Sequence, residues 1–195
     1  MESRPLGATG LFVSRLGLGL AALGRPGYIN IGHAVDIGSD RAVATMEARA
    51  HAVLDAAWAA GIRYFDAARS YGRAEAFLAS WIASRKILPG QVTIGSKWGY
   101  TYTANWAVTA EKHEVKDHSL ATLRRQVGET KELLGPYLKI YQIHSATLES
   151  GVLDNREVLR ELAALRASGL KIGLSLSGPN QGEVLRRALS LVRSS

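Results

Sequence analysis

Strand-like and helix-like segments alternate along this chain, and that alternation limits its fold more than any other feature. Residues 16–20, Leu-Gly-Leu-Gly-Leu, read as a strand whose glycines allow close backbone approach. A helical pattern over 45–60 follows, with Ala50, Val53, Leu54, Ala57 and Trp58 in spacing and Gly61 as its stop. Strand 62–66 leads to helix 73–86, which places Ala74, Phe77, Leu78, Trp81 and Ile82 on one face. Pro89-Gly90 turns the chain into strand 92–97. Helix 119–134 opens at the N-cap candidate Ser119 and is followed by strand 138–144. Helix 155–168 carries Val158, Leu162 and Leu165 and precedes strand 171–176. The last helix opens at Asn180, with Glu183 three residues on and Val184, Leu185, Ala188 and Leu189 as its apolar positions. Five strands, each followed by a helix, predict an α/β fold with a parallel sheet. The strands are near-continuous apolar runs, as a sheet covered on both faces requires. A doubly wound sheet and a (β/α)8 barrel both satisfy this pattern.

Polar residues at the strand ends favour the barrel. Asp66, Lys97, His144 and Ser175 lie at or near the C-terminal ends of four consecutive strands. Barrel enzymes keep their chemistry at that end. Asp66 closes an apolar strand, where a carboxylate is costly unless paired. Tyr71 follows five residues later, on the loop leaving the same strand end.

These side chains suit one kind of chemistry. A tyrosine with a reference pKa near 10 is a poor proton donor or acceptor at neutral pH. A nearby ammonium favours its ionised form, and Lys97 can supply one if Asp66 fixes it. His144 can orient a carbonyl oxygen and share the proton path. The sequence offers no metal-ligand cluster, so a hydride from a nicotinamide is the natural complement to the proton. Gly17-Leu18-Gly19-Leu20-Ala21-Ala22 matches a dinucleotide fingerprint only in spacing. Gly24-Arg25-Pro26-Gly27 follows where the fingerprint needs a helix to open. A Tyr-x-x-x-Lys dehydrogenase pair is ruled out locally, because Glu75 stands four residues after Tyr71.

Elsewhere the chain excludes more than it assigns. With no cysteine, disulfides and thiolate metal sites are impossible. A net charge of +7 raises nucleic acid as a partner, but the basic residues (Arg85, Lys86, Arg124, Arg125, Arg186, Arg187) are scattered along helices rather than striped with aromatics. No apolar run approaches the roughly 20 residues of a membrane span, and no leader is visible, so the cytoplasm is the expected compartment. Residues 4–16 carry two short apolar runs around Gly7-Ala8-Thr9-Gly10, a hairpin signal. Residues 25–44 read as a long loop, functional or disordered. Trp98, Tyr100, Tyr102 and Trp106 either line an apolar pocket or decorate a surface loop.

Taken together, Asp66-Ala67-Ala68-Arg69-Ser70-Tyr71-Gly72, Gly95-Ser96-Lys97 and Gln142-Ile143-His144 resemble the aldo-keto reductase family. So do Leu6-Gly7-x-Thr9-Gly10-Leu11-x-Val13-Ser14 and the Leu16-Gly17-Leu18-Gly19 that follows. The resemblance covers almost the whole chain. It implies a (β/α)8 barrel with the N-terminal hairpin at its bottom. It also implies NADPH-dependent reduction of an aldehyde or ketone, or the reverse alcohol oxidation, with NADH as the other possible cofactor. By that resemblance Tyr71 is the general acid/base, Lys97 lowers its pKa, Asp66 pairs with Lys97 and His144 positions the carbonyl. Gly19, Leu20, Asp66 and Ser175 would contact the cofactor, with Leu176 standing where the family has Asn after that Ser. The partner is a small-molecule carbonyl or alcohol, with no nucleic acid and no membrane. Family members run to eight βα units and this chain stops at Ser195, so the expectation is a single domain over 1–195, incomplete at its C-terminus. A non-catalytic relative that binds a partner or cofactor, or an inactive truncated product, is the alternative.

Overall fold

The computed structural model describes residues 1–27 and 40–193. In chain order the strands are β1 (Ser3–Pro5), β2 (Phe12–Ser14), β3 (Gly17–Gly19), β4 (Tyr64–Asp66), β5 (Thr93–Trp98), β6 (Tyr100–Tyr102), β7 (Glu114–Lys116), β8 (Leu138–Ala146) and β9 (Lys171–Leu176). The helices are α1 (Val43–Ala59), α2 (Ala74–Ser84), α3 (Leu120–Leu134), α4 (Arg156–Ala167) and α5 (Gln181–Arg193). Of the long loop expected over 25–44, residues 28–39 lie outside the described residues.

The main sheet has five parallel strands in the order β3-β4-β5-β8-β9, so spatial order follows chain order. A doubly wound sheet reverses its strand order at a switch point. Here the winding advances in one direction only, the course of a (β/α)8 barrel, and it decides between the two topologies that the alternation allows. Right-handed crossovers advancing in one direction lay successive helices on one face.

Strand alternation then separates two surfaces. Phe65, Ile94, Trp98, Tyr141 and Ile143 are buried in one apolar cluster with Leu78 and Trp81 of α2, Leu123 of α3 and Leu162 of α4. The Phe65 and Trp81 rings meet at 5.4 Å, and the buried indole of Trp81 donates to Asp55 Oδ1 at 2.8 Å. Fully burying each such large apolar side chain contributes about 1.5–3 kcal/mol. The other surface carries Tyr64 and Asp66. A Cβ built on Gly95 would lie 3.3 Å from Tyr64 Oη and 3.4 Å from Asp66 Oδ1, which puts all three residues on one face.

The helix starts follow local chemistry. Ser119 Oγ accepts from Thr122 N at 3.2 Å, and Asn155 Oδ1 accepts from Glu157 N and Val158 N at 3.1 and 3.2 Å. Each cap satisfies amides that the first turn leaves without an intrahelical partner. On α5, Val184 and Ala188 are buried as their spacing predicts, whereas Leu185 and Leu189 are exposed. Helix α5 follows β9, the last strand of the sheet among the described residues, so part of its apolar stripe has no neighbour there.

The hairpin β1–β2 sits at the N-terminal ends of the sheet strands, as expected of a barrel bottom. Ser14 Oγ accepts from Arg63 N at 2.9 Å, just before β4, and a Cβ on Gly61 would lie 2.7 Å from Met1 N. The antiparallel ribbon β6–β7, pairing Tyr100 with Lys116 and Tyr102 with Glu114, has no counterpart in the sequence reading. Its strands are three residues each and are joined by a long connection, so no short-turn hairpin signal exists to announce it.

Candidate active site

Parallel pairing assembles the site. Asp66 lies opposite Gly95, so Lys97, two residues further along β5, shares its face at the C-terminal end of the sheet. The Lys97 side chain is only 8% exposed, and a buried ammonium must be paired. It donates a short hydrogen bond to Asp66 Oδ2 and a second, at 2.9 Å, to Ala67 O.

The loop after β4 is tied to the end of β5, which is what places Tyr71. Ala67 N donates to Gly95 O at 2.9 Å, Arg69 N to Lys97 O at 3.1 Å, and Tyr71 N to Ala68 O at 3.0 Å. Gly72 turns the chain at φ +62°, and a Cβ there would meet Gly24 O at 2.4 Å, so only glycine fits. In this setting Lys97 Nζ lies 5.0 Å from the centroid of the Tyr71 ring.

His144 reaches the same place from β8. The pairing of β8 with β9 slips between Ile143 and Ala146, and Ser145 adopts φ +53°. Such irregularities re-aim side chains beside functional sites. The His144 ring stands edge-on to Tyr71, with centroids 5.6 Å apart and planes at 84°. Ser70 Oγ lies 3.5 Å from its Nδ1. Burial, helped by the charge of Lys97, pushes the His144 imidazole down to about 3.

Behind it is His118, which the sequence reading passes over. Its Nε2 faces His144 O at 3.0 Å; a carbonyl only accepts, so Nε2 carries the proton. Nδ1 is then a bare, buried lone pair without a hydrogen-bond partner among the described residues. Burial pushes this ring down to about 4. Both imidazoles are therefore neutral in the folded protein at pH 7, while their ordinary value is 6.5. Between those values the unfolded chain binds more protons than the folded one, so stability is full above pH 6.5 and falls as the pH drops toward 4. We expect the urea midpoint to decrease over this window, and the decrease to be shallower in His118→Gln. An identical acid slope in that variant would show that His118 does not contribute.

The remaining expected contacts sit at the same strand ends. Among the described residues, nothing other than its chain neighbours comes within 4 Å of a Cβ built on Gly19, so packing against them does not explain the bare backbone there. Leu20, the next residue and another expected cofactor contact, is fully buried, with its N donating to Asp66 O and its O accepting from Leu23 N and Gly24 N, so its side chain is not open to a ligand. Ser175 Oγ accepts from Ser145 N at 2.8 Å and keeps its own proton to donate. Thus Asp66, Tyr71, Lys97 and His144 converge, with Gly19 beside Asp66 in the sheet and Ser175 bonded next to His144.

The aromatic residues after β5 divide by role. Trp98 is fully buried against His118 and belongs to the core, not to a pocket. Tyr100 meets the His144 ring at 5.0 Å. Tyr102 and Trp106 line a groove with Gly72, Arg73, Thr103 and Asn105, next to Tyr71 in the chain. Lys116 donates to Ser145 O at 2.7 Å, bracing the backbone beside His144.

A buried ionic network underlies the Tyr71 loop. Glu75, 2% exposed, accepts from Arg69 at 2.5 Å, Ser96 Oγ at 2.5 Å and Thr130 Oγ1 at 2.9 Å. Arg69 also donates to Glu129 Oε2 at 3.0 Å. Burial lowers the Arg69 guanidinium, but the two carboxylates outweigh it and the net shift is upward.

Among the described residues no cluster of ligating side chains could hold a metal ion, and no helix is long and apolar enough to cross a membrane.

A singly wound parallel sheet with an Asp–Lys pair, a tyrosine and a histidine gathered at its C-terminal ends is the arrangement of a β/α barrel with polar residues at the strand ends. The aldo/keto reductase family profile matches residues 15–191, and this chain belongs to that family. Pyridoxal 4-dehydrogenase of Microbacterium luteolum is 29% identical over 96% of this chain and 58% of its own length. A structure from Pseudomonas aeruginosa assigned to the aldo-keto reductases is 30% identical with a TM-score of 0.66, covering 89% of this chain and 60% of that one. An aldo-keto reductase from Klebsiella pneumoniae, solved in complex with NADPH, shares the fold at 19% identity and a TM-score of 0.55, over 90% of this chain and 50% of that one. The chain thus spans less than two thirds of the length of the relatives it matches.

Proposed function

We propose that this chain carries the acid/base site of an NAD(P)H-dependent oxidoreductase that interconverts an aldehyde or ketone with the corresponding alcohol, in the cytoplasm and on small molecules. The observation that carries the reading is the Tyr71 ring, with the Lys97 ammonium 5.0 Å and the His144 ring 5.6 Å from its centroid, and with Lys97 bonded to Asp66. In the reductive direction the Tyr71 hydroxyl gives its proton to the oxygen of the former carbonyl. The resulting phenolate is stabilised by the ammonium of Lys97, whose place Asp66 holds. Neutral His144 donates a hydrogen bond to the carbonyl oxygen and orients it. In the oxidative direction the proton returns to Tyr71.

The open backbone at Gly19, the hydroxyl proton of Ser175 and the second oxygen of Asp66 suit the nicotinamide end of NADPH or NADH. When bound, that group supplies the hydride. The groove of Tyr102 and Trp106 is where we place the body of the substrate.

Lys97→Met tests the reading. Loss of the ammonium is expected to move the alkaline rise of alcohol oxidation upward by about one pH unit or more. The profile is measured in the protein carrying this chain, with NADP+ and NAD+ and a panel of primary and secondary alcohols together with pyridoxal. An unchanged profile removes Lys97 from the proposed role.

A further inference from the structure

We propose that Arg25 is a second cationic positioning residue for Tyr71, held there by Glu114 of β7. The inference rests on the acid/base role assigned to Tyr71 above. Arg25 is 4% exposed, and its Cζ lies 5.5 Å from the centroid of the Tyr71 ring, close to the 5.0 Å of Lys97 Nζ. Its Nη1 donates to Ser70 O at 3.3 Å and to Glu114 Oε2 at 3.1 Å. It therefore grips the backbone next to Tyr71 and the ribbon at once.

The approach is fixed by backbone. Arg73 N donates to Gly24 O at 2.6 Å, and a Cβ on Gly24 would lie 2.1 Å from Tyr71 O. The 24–25 corner and the Tyr71 loop are packed main chain to main chain, and the bonds to Ser70 O and Glu114 Oε2 hold the guanidinium on that side of the phenol ring. A buried guanidinium is costly and is tolerated only with a partner such as Glu114. Among the described residues, the charged and titratable groups gathered around Tyr71 include Asp66 of β4, Lys97 of β5, His144 of β8, and Arg25 with Glu114 behind it. In this arrangement Arg25 favours the phenolate and Glu114 moderates that effect, so the two act with opposite sign.

The opposite signs make the test. An ultraviolet difference titration of this chain against its Tyr71→Phe variant isolates the ionisation of Tyr71 and needs no turnover. Arg25→Met is expected to raise the midpoint by about one pH unit, a tenfold loss of acidity. Arg25→Lys, which keeps the charge, stays near the unsubstituted value. Glu114→Gln removes the negative charge that moderates the guanidinium and lowers the midpoint. A purely structural Arg25 predicts that Arg25→Met and Glu114→Gln disturb the site alike, so a shared direction, or no movement in either, overturns the proposal. If Arg25→Met does not fold, Glu114→Gln decides alone: a midpoint that stays or rises overturns it. Should the titrations behave as expected while Tyr71→Phe leaves turnover intact, the Arg25 coupling stands and the function proposed for Tyr71 falls.

Discussion

Tyr71→Phe is expected to lower carbonyl reduction by about 10²–10⁴-fold, the usual contribution of a general acid/base. The substitution removes one oxygen and leaves the ring, so its edge-on contact with His144 and its place near Lys97 persist. The backbone bonds that set the loop, from Ala67 N, Arg69 N and Tyr71 N, do not involve the phenol. Cofactor affinity should therefore change little, because Gly19 and Ser175 are untouched. The check is aldehyde-dependent NADPH consumption beside a cofactor titration, in the protein carrying this chain. Turnover at the unsubstituted rate would end the proposed mechanism; a parallel loss of cofactor affinity would mean that Tyr71 shapes the site rather than moves a proton.

Glu75→Ala is expected to destabilise the fold by about 3–5 kcal/mol, the cost of breaking a buried ion pair by removing one partner. Glu75 receives Arg69, Ser96 and Thr130 together, so its loss leaves two buried hydroxyls and part of a guanidinium without their acceptor. Arg69 retains Glu129, which limits the damage to its own charge. Because Arg69 N also donates to Lys97 O, loosening Arg69 should reach the Tyr71 loop. Urea unfolding measures the first effect. A loss below about 1 kcal/mol, the range of exposed pairs, would show that the network is not the anchor described here.

The family resemblance and the winding of the sheet meet at the same residues. Asp66, Lys97 and His144 are visible in the sequence because each ends an apolar run with a group that cannot be buried alone. The strand–helix alternation is visible for the same kind of reason: periodicity of burial is written locally, residue by residue. Helix starts at Ser119 and Asn180 and stops at Gly61 and Gly169 are likewise local decisions of hydrogen bonding and backbone freedom.

Arg25 and His118 were not visible in this way. Arg25 sits in Gly24-Arg25-Pro26-Gly27, which reads only as a helix breaker, and nothing local says that its guanidinium will be buried against a tyrosine from another loop. His118 reads as part of the approach to an N-cap, yet it holds the carbonyl of His144. The ribbon β6–β7 escaped because its strands are short and its pairing spans a long connection. Trp98 reads like its aromatic neighbours in sequence, but the strand's alternation turns it into the core.

What the sequence alone determined is the order of elements, the parallel character of the sheet and the identity of the polar groups at its strand ends. Only the tertiary structure decided how those ends come together: strand order without reversal, a shifted register at Ser145, and a backbone contact between Gly24 and Gly72 that sets a second cation beside Tyr71. The physical reason is range. Periodicity, caps and turns are settled by neighbours a few residues apart, whereas the field at Tyr71 includes groups brought together from residues 25, 66, 97 and 144, whose closeness no local pattern records.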